Sequence, residues 1–349
     1  MDPSAVLPRA LPEAGTIAFL SPSERLNDSF PAPLSRSKAA LEKLGFRVKI
    51  FWTPEPSRPA TISQSIANRI AELRAAFADP EVDAIICTFG GTTATELLPP
   101  LLSDANLTHV LRANPKIFVG YSDITTLHWA LAARTGLRTF YGPTAIPELG
   151  TAPSPLPFSV QNLLRAITDA GRTPLGPLPR SATYAPDLPA YLQGGDAASV
   201  SPQVLAPSPG WKWLRGGSGV GPLFGGCLSV VVRLQGVRGM APDWRGKIMF
   251  LETSMAEGAS GRGFVPHKLR QAIADLAASG VFDEINGLVF GRFFGYDNDE
   301  RRDEVERVVR EALAIGEDGI VWGKTKKFPV LLHADFGHTS PMLTLPMGA

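Results

Sequence analysis

Four short polar segments stand where apolar runs end: Gly90-Gly91-Thr92, Gly120-Tyr121-Ser122-Asp123, Glu252-Thr253-Ser254 and Gly337-His338-Thr339. Together they hold a hydroxyl, a carboxylate, an imidazole and paired glycines, the parts of a nucleophile, its base and an anion-binding loop. In open parallel sheets ligands collect beyond the carboxyl ends of the strands, and each segment follows a strand-like run. Ser122 is the most informative. An apolar run leads into it and a helical pattern begins at once, which puts its hydroxyl on a sharp turn at a helix N-terminus. Free N–H groups there favour developing negative charge. The same placement suits Ser122 or Asp123 as a plain helix cap. Two residues on stands Ile124, not the second glycine of a G-x-S-x-G elbow. Gly90-Gly91 can let a backbone N–H approach a ligand or can form an ordinary tight turn. Glu252 closes a strongly apolar run and needs a partner, which a histidine or a structural cation would supply equally well. His338, between Gly337 and Thr339, reads as part of an exposed loop.

The elements that must position these residues alternate along the first half of the chain. Residues 15–23 read as a buried strand running into a polar loop, and Leu34, Leu41 and Leu44 mark a helix face that Gly45 ends. Residues 46–52 alternate like a strand. Ile66, Ile70, Leu73 and Phe77 recur at helical spacing up to Asp79-Pro80. The runs 82–91 and 116–123 are continuous and apolar, as in strands covered on both faces, and 125–134 continues as helix. Strands separated by helices predict a doubly wound parallel sheet with right-handed crossovers. Residues 151–210 are rich in Pro, Ser, Gly and Ala and read as linker and irregular loop. Strands are expected again at 246–254, 285–293 and 328–338, with helices at 268–280 and 303–314. The expected organisation is an α/β domain over 1–150, a Pro-rich linker and substrate loop over 151–210, and a second α/β domain over 211–349.

Composition narrows the chemistry. A chain of 349 residues with 44% hydrophobic and 19% charged side chains fits a globular protein with two cores. Its 34 basic and 33 acidic side chains are nearly balanced, with no basic track for nucleic acid, so a small molecule or short peptide is the expected partner. The five histidines and two cysteines show no zinc-ligand spacing, and neither a metal nor another cofactor is expected. The proline-containing start carries no signal-like apolar stretch, and no run reaches the ~20 apolar residues of a membrane span. With Cys87 and Cys227 far apart, a reducing, cytoplasmic setting is expected. A nucleotide-binding protein without catalysis is disfavoured by the lack of GxxxxGK[ST] or a strand-linked GxGxxG.

Over nearly its whole length the sequence resembles the serine peptidase family of the LD-carboxypeptidases and the microcin C self-immunity peptidases. The resemblance is carried by FADPEVDAIICTFGG (77–91), KIFVGYSDITTLHWAL (116–131), YGP (141–143), PLFGGCLSVV (222–231), MFLETS (249–254) and HADFGHTSPMLTLPMG (333–348). It implies Ser122 as nucleophile, His338 as general base and Glu252 as the carboxylate orienting that base. It implies backbone amides of Gly91 and Asp123 as the oxyanion hole. It also implies a C-terminal domain with a small barrel-like sheet, an active site between the two domains, and a homodimer. Two departures stand out. The family's GGN is Gly225-Gly226-Cys227 here, and the Tyr-Gly that often follows the glycine pair in LD-carboxypeptidases is Thr92-Thr93.

The closer likeness is to the microcin C branch, which implies an aminoacyl- or peptidyl-nucleotide substrate. Gly90, Thr92, Trp211 and Trp213 are the expected substrate contacts, with one tryptophan of the loop 208–219 stacked on the base. Simple packing of that loop by either tryptophan is the alternative. Removal of the terminal D-alanine from murein tetrapeptide is the second activity the family implies.

Overall fold

The computed structural model describes residues 5–55, 61–169, 173–256, 259–316 and 327–349. It divides into two compact units. One comprises Met1–Leu178, Pro189–Gln203 and Leu343–Pro346, the other Pro179–Leu188, Val204–Met342 and Met347–Ala349.

The first unit is built on a six-stranded sheet in the order Leu345–Pro346, Phe140–Tyr141, Ile117–Gly120, Ala84–Cys87, Thr16–Leu20, Arg47–Phe51. All neighbours are parallel except Leu345–Pro346, which runs antiparallel to Phe140–Tyr141. Thr16–Leu20, Ala84–Cys87 and Ile117–Gly120 are buried throughout, as continuous apolar runs in a sheet with helices on both faces should be. Ile17, Phe19, Ile86, Ile117 and Val119 share one core with Leu34, Leu41 and Leu163. Local chemistry sets the helix ends. Thr61 caps Ile62–Ala78 by accepting the Gln64 N–H at 3.2 Å, and Gly136, at φ +73°, closes Thr125–Thr135 in the left-handed conformation. The chain order reverses between Thr16–Leu20 and Ala84–Cys87, the switch point where such sheets bind ligands.

The second unit carries a five-stranded sheet in the order Lys212–Arg215, Val330–Ala334, Gly287–Gly291, Ile248–Glu252, Leu223–Cys227. It is parallel apart from Lys212–Arg215, which pairs antiparallel with Val330–Ala334. This is the sheet the resemblance leads one to expect as small and barrel-like; among the described residues its end strands are not paired with each other. Helices Leu228–Gln235, Pro266–Ala278 and Asp299–Ala312 accompany it.

The structure differs from the sequence reading in the Pro-rich stretch. Pro157–Ile167 is a helix that buries Leu163, Ala166 and Ile167, and Lys212–Arg215 is a strand rather than part of a loop. The helix follows from Pro157 at its first turn, where the missing N–H costs nothing. No helix among the described residues is long and apolar enough to cross a membrane.

Candidate active site

In the first unit, strand Ile117–Gly120 delivers Ser122 into a short 3-10 turn, Ser122–Ile124, ahead of helix Thr125–Thr135. Ser122 has φ +63°, one of four non-glycine residues described with positive φ. For a serine this conformation costs about 1–3 kcal/mol and persists only where its surroundings enforce it. They do so here. The Ser122 N–H donates to Tyr141 Oη at 3.1 Å, and Thr125 Oγ1 donates to the Ser122 carbonyl at 2.7 Å. Gly90 leaves the space that the turn occupies, since a Cβ there would fall 2.8 Å from Ser122 Cβ and 3.1 Å from its Oγ.

Capping is not what Ser122 and Asp123 do. The N-cap positions are Tyr121 and Ile124, neither with a side-chain cap. The buried Asp123 carboxylate instead reaches sideways, accepting from Ser23 Oγ at 2.7 Å and from the Ala94 N–H at 2.8 Å. It ties the serine turn to the segment after Gly91. Thr92 is exposed and donates through Oγ1 to Glu24 Oε1 at 3.0 Å.

Two further residues hold this turn and carry no role in the sequence reading. Tyr141 sits in the YGP motif, and His128 on helix Thr125–Thr135. His128 Nε2–H donates to the Gly120 carbonyl at 2.9 Å, which makes Nδ1 the acceptor for Thr139 Oγ1 at 2.8 Å. Complete burial lowers its pKa to about 4. The ring is therefore neutral in the folded protein, while in the unfolded chain it gains a proton below about pH 6.5. Its contribution to stability is present above that value and is lost as pH falls towards 4, a loss of order 3 kcal/mol. The expected outcome is an NMR resonance of His128 that does not titrate down to pH 5 while the urea midpoint declines. A His128 midpoint above pH 6 would contradict this assignment.

In the second unit, strand Ile248–Glu252 ends on a carboxylate with no solvent exposure. His338 Nδ1–H donates to Glu252 Oε2 at 2.6 Å, so the buried charge has the partner it requires and Nε2 is left as the acceptor. Gly337 permits this approach, because a Cβ there would lie 2.9 Å from Glu252 Cβ. The loop is buried, not exposed as the sequence suggests, with His338 at 7% exposure. The reason is Arg292. Its buried guanidinium donates to Thr339 Oγ1 at 2.6 Å, to the carbonyls of Thr339 and Pro341, and to Asp335. His338 is thus bracketed by residues pinned to one cation.

Trp211 belongs to the same network. Its indole N–H donates to Asp335 Oδ2 at 2.8 Å, and the Arg180 guanidinium lies 4.8 Å above its ring. Trp213, on the edge strand, is 54% exposed. The two tryptophans are therefore not equivalent. Cys227, where the family has asparagine, is the ladder partner of Glu252 in the adjacent strand, a buried thiol in place of an amide. Among the described residues no group of three His, Cys, Asp or Glu could hold a metal ion.

Comparison with known proteins agrees with this architecture. The chain is 28% identical over 340 residues to the microcin C7 self-immunity protein MccF of Escherichia coli, covering 95% of this chain and 88% of that one. The structure of MccF in complex with aspartyl sulfamoyl adenosine matches with a TM-score of 0.79 at 25% identity, over 99% of this chain and 94% of the other. A putative carboxypeptidase of Treponema pallidum (strain Nichols) is 30% identical over 292 residues, 82% of this chain and 74% of its own length. Residues 17–142 match the LD-carboxypeptidase N-terminal domain and residues 220–349 the LD-carboxypeptidase C-terminal domain, and with the two mostly parallel sheets that carry these segments, the chain belongs to the LD-carboxypeptidase family of peptidases.

Proposed function

We propose that the protein is a serine peptidase that hydrolyses an amide bond with Ser122, His338 and Glu252. The observation that carries this reading is the 2.6 Å hydrogen bond from His338 Nδ1 to the buried Glu252 carboxylate. It fixes the tautomer in which Nδ1 carries the proton and the Nε2 lone pair acts as the base, and the carboxylate stabilises the imidazolium once formed. Nε2 accepts the Ser122 Oγ proton as Oγ attacks the substrate carbonyl. The Gly91 and Asp123 amides receive the oxyanion; the Ser122 amide is already engaged by Tyr141. Collapse expels the leaving nitrogen, which takes the proton from His338, and water then releases the acyl group by the reverse sequence. The strained turn at Ser122 supports the same role, since strain of this kind is sustained where it presents a reacting group.

As substrate we favour an aminoacyl- or peptidyl-nucleotide conjugate of the microcin C type, in line with the ligand of the matching MccF structure. Murein tetrapeptide, losing its terminal D-alanine, is the second reading, favoured by the family match itself. A cytoplasmic homodimer acting on a small ligand, with no nucleic acid or membrane involved, completes the proposal. Assay of the purified protein against murein tetrapeptide and a panel of aminoacyl sulfamoyl adenylates separates the two. Turnover of neither, with retained ligand binding, would favour a binding protein.

The tryptophans sharpen the choice. Of the two, we assign stacking on a base to Trp213, which is the more exposed. Trp213→Ala is expected to raise KM for nucleotide conjugates by about 5- to 150-fold, with little change on a substrate lacking a base. Trp211→Ala is expected to affect both substrate types together and lower the melting temperature, because it removes a partner of Asp335. Equal sensitivity of both substrates to Trp213→Ala would put the murein peptide first.

A further inference from the structure

Two loops meet at the switch point of the first sheet, one leaving Thr16–Leu20 and the other leaving Ala84–Cys87. Ser21 Oγ lies 2.7 Å from Thr88 Oγ1, and the Glu24 N–H donates to the Gly90 carbonyl at 3.0 Å. The Glu24 side chain lies directly over Gly91, where a Cβ would come within 2.0 Å of Glu24 Cγ; a Cβ on Gly90 would meet Ser122. The glycine pair therefore has the serine turn against its first residue and a carboxylate-bearing side chain against its second.

That carboxylate is partly exposed and accepts a hydrogen bond from Thr92 Oγ1 at 3.0 Å, and among the described residues it enters no ion pair. Nearby cations are matched elsewhere. Arg25 bonds Glu72 at 2.6 Å and Glu55 at 3.1 Å with its guanidinium 4.0 Å over Trp52, and buried Arg69 pairs with Glu96. A free negative charge beside Gly91 opposes the charge that would develop on an oxyanion there, the more so once substrate excludes water. A substrate that brings its own cation cancels this opposition and gains an ion pair.

We propose that Glu24, oriented by Thr92, is a subsite for the protonated α-amino group of the substrate's acyl residue, selecting free-amine substrates over N-blocked ones. The proposal rests on the serine-peptidase reading of Ser122. It gives a purpose to Thr92, a position where the chain departs from the Tyr-Gly common among LD-carboxypeptidases.

The test compares alanyl sulfamoyl adenosine with its N-acetyl form. Affinities are measured by calorimetry on Ser122→Ala protein, so that binding is read apart from turnover, and turnover is measured with Ser122 intact. The free amine is expected to bind about 10- to 100-fold more tightly than the N-acetyl form, the range of a charged hydrogen bond. Adding Glu24→Gln, which keeps the size of the side chain and its contact with Thr92, should reduce that ratio to within about twofold; Glu24→Asp should restore part of it. An unchanged ratio in Glu24→Gln, equal binding of the two forms by the parent, or binding of neither would overturn the proposal. The serine-peptidase reading fails on a different result, undiminished turnover in Ser122→Ala, so the two can fail separately.

Discussion

Ser122→Ala is expected to lower kcat by about 10⁴- to 10⁶-fold, the usual cost of removing a triad nucleophile, the role proposed for Ser122. The fold should survive. Two contacts that hold the turn run through the Ser122 backbone, from its N–H to Tyr141 and from Thr125 to its carbonyl, and alanine keeps both. Circular dichroism and melting temperature should therefore match the parent while turnover vanishes, and KM, if residual activity allows its measurement, should change little. Retention of more than about a tenth of parental turnover would end the nucleophile assignment, because no other part of the mechanism replaces a covalent step at that rate.

The second large effect concerns the proposed base and the carboxylate proposed to orient it. His338→Ala is expected to reach the same depth as Ser122→Ala, since an alcohol without a base at its proton is a weak nucleophile at neutral pH. Glu252→Gln should be less complete, with a loss of about 10⁴-fold. The amide occupies the same space but can offer its N–H to Nδ1, which turns the imidazole to the wrong tautomer. Glu252→Ala is the poorer experiment, because Glu252 has no solvent exposure and truncation would open a cavity against Gly337. Steady-state assays of Glu252→Gln across pH 5–9 provide the measurement. Activity equal to the parent would mean that the 2.6 Å contact with His338 is a structural bond without part in the chemistry.

Much of the architecture is visible in the chain itself because its rules are local. Continuous apolar runs such as Ala84–Cys87 and Ile117–Gly120 announce strands covered on both faces, and Gly45 and Gly136 end helices through their positive φ. The Ser122 turn is visible for the same reason, since strand, serine and helix follow one another within a few residues. Long-range effects are not visible. The burial of His338 depends on Glu252, 86 residues earlier, and on Arg292, whose partner Asp335 lies 43 residues away. The bond from the Trp211 N–H to Asp335, 124 residues later, is equally invisible in the sequence. Lys212–Arg215 escapes a periodicity reading because it is a short edge strand with a register shift and exposed Lys212 and Trp213. Helix Pro157–Ile167 is obscured by the prolines around it, though Leu163 and Ile167 are four residues apart on one face.

The central claim is that Ser122 and His338 act as one unit, and the kinetics of four proteins test it most directly: the parent, Ser122→Ala, His338→Ala and the double variant, all on one substrate. Residues that serve a single step show grossly non-additive losses, because once either is absent the other has nothing left to do. The predicted result is a double variant whose kcat lies within about threefold of the slower single variant. Losses that multiply, with the double variant slower than either single one by the full factor of the other, would show two residues acting independently and would contradict the account.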